Sequence, residues 1–110
     1  MTNFWNQADE QLSEQLIVVV GKNVATVQRV SRYCLGQDGE VFPYYGFPTA
    51  EELFWFNPKV LVVCLPLPED SWYQQLNRPH ILWSEQQMNE LAVVSTKDEL
   101  IAKLTELLSV

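Results

Sequence analysis

Apolar residues in this chain gather in short unbroken runs, set apart by stretches whose apolar positions recur at helical spacing. Leu16-Ile17-Val18-Val19-Val20 shows no alternation, as expected of a strand covered on both faces. Gly21 ends the run. Asn23 then stands where its side-chain oxygen can accept from an orphan amide of a first helical turn. Val24, Val27, Val30 and Cys34 follow at spacings of three, three and four, which predicts one apolar helical face, stopped by Gly36 and Gly39.

Glu40 to Tyr45 predicts a second, weaker strand. Pro43 inside it cannot donate a ladder hydrogen bond, so this strand belongs at a sheet edge. Thr49-Ala50-Glu51-Glu52 has capping-box spacing and opens a short helix through Leu53 to Phe56. Pro58 closes it, and Val60 to Cys64 forms a third strand that runs into Leu65-Pro66-Leu67-Pro68. Glu69 to Asn77 predicts one short helix, ended before Pro79. His80-Ile81-Leu82-Trp83 is a fourth strand, Ser84 through Gln87 a capping-box spacing into a brief helix, and Ala92-Val93-Val94 a fifth strand. Thr96-Lys97-Asp98-Glu99 caps the last helix, with Leu100, Ile101, Leu104, Leu107 and Leu108 as its apolar stripe.

Strands alternating with helices at short intervals imply parallel pairing through helical crossovers. The predicted fold is therefore α/β: a three-layer α/β/α sandwich around a flavodoxin-like, five-stranded parallel sheet, trimmed in its second half. Residues 16–110 form its single domain. Residues 1–15, rich in Gln and acidic side chains, are left as an N-terminal tail or an extra helix.

Composition narrows the function classes. A chain of 110 residues holds one core, and no apolar stretch nears the roughly 18 residues of a membrane span. The N-terminus has neither a basic start nor an apolar signal region, so a cytoplasmic protein is expected. A net charge of −7, with seven scattered Lys and Arg residues, argues against nucleic-acid binding. The plain meaning of that acidity is solubility; a basic protein partner is the sharper one. Cys34, Cys64 and the lone His80 make no metal motif, so two free thiols, no metal and no cofactor are expected.

The run Val60-Leu61-Val62-Val63-Cys64-Leu65-Pro66 resembles the central strand and turn of response-regulator receiver domains, where an aspartate accepts a phosphoryl group. Ile17-Val18-Val19-Val20-Gly21-Lys22-Asn23 is similar to their first strand and acidic loop. Glu40-Val41 and Thr49-Ala50-Glu51-Glu52-Leu53 resemble their second strand and helix, and Pro79-His80-Ile81-Leu82-Trp83-Ser84 their fourth strand with its terminal hydroxyl. The resemblance implies a degenerate pseudo-receiver. Gly21 and Lys22 replace the metal-binding acids, Cys64 replaces the phosphoacceptor, Ser84 alone keeps its type, and Lys97 stands too close to the last helix for the conserved lysine's role.

Two functional readings stay open. Gly21, Lys22, Asn23, Cys64, Leu65, Ser84 and Lys97 fall at strand ends, where such sheets gather ligands, so a small enzyme or anion-binding protein is one alternative. Cys64 there is either a reactive thiol or a small buried hydrophobe. The leading expectation is a non-catalytic regulatory or protein-interaction domain that binds a protein partner or a second copy. Tyr44, Tyr45, Phe47, Phe54, Trp55 and Trp72 are either lids over the core or that interaction surface.

Overall fold

The unbroken Val-rich runs become the interior of the sheet because both of their faces are covered. In the computed structural model, which describes residues 15–37, 39–86 and 92–109, the first of them is β1, Leu16–Gly21. It is followed by α1 (Val24–Cys34), β2 (Glu40–Tyr45), α2 (Ala50–Phe56) and β3 (Val60–Cys64). A 3-10 helix (Asp70–Leu76), β4 (His80–Trp83), β5 (Val93–Val94) and α3 (Lys97–Leu108) complete the chain. The strand order is β2-β1-β3-β4-β5 and every pairing is parallel. This is the flavodoxin-like α/β order, with its switch point between β1 and β3.

Strand alternation divides the core into two clusters. Ile17, Val19, Val60, Val62, Cys64, Ile81 and Trp83 pack with Val27, Val30 and Cys34 of α1 and Leu100, Leu104 and Leu108 of α3. Val18, Val20, Leu61, Val63 and Leu82 pack with Leu53 of α2 and Trp72 of the 3-10 helix. Each buried valine or leucine contributes about 1.5–3 kcal/mol of transfer free energy, so neither face tolerates a polar break.

The helix starts are set by side-chain caps. Asn23 accepts the Thr26 amide at 3.0 Å. Thr49 with Glu52, and Thr96 with Glu99, complete reciprocal capping boxes at α2 and α3. α2 ends at Asn57, whose φ of 45° is left-handed, a conformation asparagine tolerates better than most residues.

β2 lies at the sheet edge, and hydrogen-bond parity explains its proline. The amides of Glu40 and Gly46 donate toward β1, to Gln15 at 3.0 Å and Gly21 at 2.7 Å. The alternating residues 41, 43 and 45 therefore turn their nitrogens to the free edge, where Pro43 forfeits no ladder bond.

Two expectations change, and two others fall on residues the structure does not describe. Val24 is 49% exposed rather than part of the α1 stripe. At 100° per residue it sits about 90° from the mean direction of Val27, Val30 and Cys34, in the terminal turn. Between Glu69 and Asn77 the chain forms a 3-10 helix, closed by a Trp72 amide to Glu69 carbonyl bond of 3.1 Å and lacking a side-chain cap. After β4 the Ser84 hydroxyl forms a tight turn with Gln86, and the brief helix expected beyond it lies outside the described residues. The expected tail over residues 1–15 also lies outside them, except for Gln15.

Candidate functional site

Parallel strands direct their carboxyl ends to one rim, and there Lys22, Asn23, Cys64 and Leu65 come together with Thr26 and Pro66. They line a depression of about 380 Å³. Of the residues expected in this crevice, Gly21, Ser84 and Lys97 do not line it. The volume suits a small ligand, but the polar groups do not converge on one.

Apart from Lys22, the expected polar side chains are engaged or remote. Asn23 Oδ1 is held by the Thr26 amide. The Ser84 hydroxyl donates to the Gln86 carbonyl at 2.7 Å and accepts its amide at 3.1 Å, which closes a local turn. Lys97 opens α3 with its ammonium 5.9 Å from the centre of the Tyr33 ring, a cation–π contact. Lys22 is exposed on the loop after β1.

Although it borders the depression, Cys64 packs in the core and is only 3% exposed. Burial pushes its thiol up to about 12, against the opposing charge of Arg29. Burial likewise raises Cys34 to about 12. A thiol in that range is protonated at neutral pH and is a poor nucleophile. Both cysteines are free and buried, so Cys64 packs as a small hydrophobe.

Gly21 shows why no carboxylate occupies the end of β1. A Cβ built there would lie 2.8 Å from Cys64 Cβ and 2.9 Å from Val27 Cγ2. The space an acidic side chain needs is filled by the β3 and α1 packing. His80, at the start of β4, donates from Nδ1 to the Arg78 carbonyl, 2.8 Å away, a local structural contact.

The aromatic residues separate into core and surface. Trp72 is 7% exposed and donates to the Pro48 carbonyl at 3.3 Å, so it belongs to the core and not to an interaction surface. Phe47 packs edge-on against it at 5.1 Å. Tyr44 is partly buried, donating to Glu52 at 2.9 Å and lying 6.0 Å from Phe56. Phe54 and Trp55 are different: they are 71% and 76% exposed and meet edge to face at 6.0 Å. Tyr45 and Phe42 of β2 are also exposed.

Arg29 has no place in the sequence-based site, yet it matters at the strand ends. It pairs with Glu85 just after β4 and is the cation closest in effect to Cys64. Nothing in its local spacing signals this, because its partner is brought in by the sheet. Among the described residues no three His, Cys, Asp or Glu side chains converge as a metal site requires, and no helix is long and apolar enough to cross a membrane. No protein-family model matches this chain, and no curated protein matches it.

Proposed function

We propose that the chain is a non-catalytic protein-interaction or regulatory domain of pseudo-receiver type, not phosphorylated, acting in the cytoplasm through a protein partner. One observation carries the reading: Phe54 and Trp55 stand 71% and 76% exposed on α2, side by side. Two such rings present roughly 300 Å² of apolar surface, comparable to the largest patch of an ordinary monomer. Meanwhile the strand-end crevice has its thiol buried, and Ser84 lies outside its lining with its hydroxyl tied into a turn, so surface binding is favoured over chemistry at the rim.

The test is a chain carrying Phe54→Ala and Trp55→Ala. It should melt like the parent, since both side chains are exposed, and lose capture of the partner from its own cells by tenfold or more. Unchanged capture overturns the reading. A collapsed melting temperature shows instead that the rings support the fold. Rapid labelling of Cys64 by a thiol reagent in the native chain would turn attention back to the crevice.

A further inference from the structure

We infer that the partner at α2 is a basic segment that presents arginine beside an apolar residue; this rests on the interaction reading above and names its chemistry. A helix turns about 100° per residue, so with Leu53 in the core, Glu51, Phe54 and Trp55 share the outward arc. All three are exposed. Glu51 precedes the rings by three and four residues, the separations at which helical side chains are neighbours.

Glu52 is already engaged, holding the Thr49 amide and the Tyr44 hydroxyl at 2.9 Å each. Glu51 has no ion pair among the described residues, and α2 itself carries no Lys or Arg. A carboxylate against two exposed rings complements a guanidinium, which pairs bidentately with carboxylates and stacks on aromatic faces. An ammonium meets only part of that geometry.

A second copy fits this surface poorly. The chain carries a net charge of −7, so two copies meet as like-charged molecules, which disfavours association. Two rings supply roughly 300 Å², whereas a stable interface needs about 800 Å² from each partner. Strand addition cannot extend the contact smoothly, because Pro43 turns its nitrogen to the free edge of β2 and removes a donor there.

The test titrates the full chain, isotopically labelled, with a short Gly-Ser peptide bearing an Arg-Leu-Leu-Arg core, and with the same peptide carrying Lys or Glu in place of Arg. The Arg peptide should move the Phe54 and Trp55 resonances, bind more weakly as salt rises, and exceed the Lys peptide. Glu51→Gln should weaken it about threefold, and Trp55→Ala tenfold or more. Equal binding of the Glu peptide, or affinity untouched by Glu51→Gln, overturns the arginine inference and leaves the interaction reading standing. No peptide response, with self-association in sedimentation velocity that Trp55→Ala abolishes, assigns the surface to a second copy and overturns the inference alone. No peptide response and no association dependent on Trp55 overturns both.

Discussion

At the end of β1, one glycine decides what the strand-end rim can hold. A Cβ on Gly21 would sit inside the contact distances of Cys64 Cβ and Val27 Cγ2. Gly21→Ala is therefore expected to destabilise the fold by about 1–3 kcal/mol in urea unfolding, as overpacking of a tight core does. Adding Cys64→Ala should not relieve it, because alanine keeps the Cβ that clashes; full rescue would show that the sulfur is the obstacle. The two buried thiols make a second residue-level prediction. Each ionises near its ordinary value of 9.0 in the unfolded chain and near 12 in the fold. Below pH 9 both states keep the proton, so these groups leave stability unchanged. Above pH 9 the unfolded chain loses protons that the fold retains, and stability falls by about 1.4 kcal/mol per pH unit for each thiol. Unfolding free energies at pH 8 and pH 10 should thus differ by less in the Cys34→Ala/Cys64→Ala chain than in the parent. An equal difference would mean the thiols are solvated.

The elements differ in what holds them. α1 and α3 bury stripes against one face, while the other face is covered by the short α2 and the 3-10 helix. That second cover depends on Trp72, whose indole reaches Pro48 across 24 residues of sequence and packs on Phe47. Trp72→Ala is expected to cost about 3–5 kcal/mol, as large-to-small changes of buried aromatics do, while Trp55→Ala costs within about 0.5 kcal/mol. Similar losses at both positions in parallel urea titrations would contradict the division into core and surface. This division is also where sequence reading runs out. Caps, strand runs and the edge position of Pro43 are legible because each depends on neighbours within a few residues: Thr49 needs only Glu52, and Pro43 only its missing amide. Trp72 and Trp55 look alike in sequence, since what buries one is a contact with Pro48 that only the folded crossover creates. The Arg29–Glu85 pair is hidden for the same reason. Val24 shows a subtler limit, since an i, i+3 spacing drifts off a stripe by about 60° per step and misleads at a helix end.

The assembled molecule keeps a flavodoxin-like order of five parallel strands, with packing filling the end of β1. The proposed pseudo-receiver reading makes a concrete demand on the whole fold: a functioning phosphoryl site would couple ligand to stability, and a degenerate one would not. A ligand at a hundred times its Kd stabilises by about 2.7 kcal/mol, on the order of 10 °C in the melting of a domain this size. At a site of receiver type, beryllofluoride with Mg²⁺ needs a carboxylate to accept it and further acids to hold the metal. Here Cys64 is a thiol buried to 3% exposure, Gly21 has no room for a side chain, and the Ser84 hydroxyl is closed into a turn. Lys22 beside them adds a like charge to any divalent cation. The melting temperature in millimolar Mg²⁺ and beryllofluoride is therefore expected to stay within about 1 °C of its value in buffer. A shift of several degrees, absent in a Lys22→Ala chain, would show that the rim binds an anion after all. A shift that survived Lys22→Ala would place the ligand elsewhere on the molecule. Stability insensitive to these ligands is the outcome expected from the proposed interaction reading, which puts binding on the exposed α2 face instead of the rim.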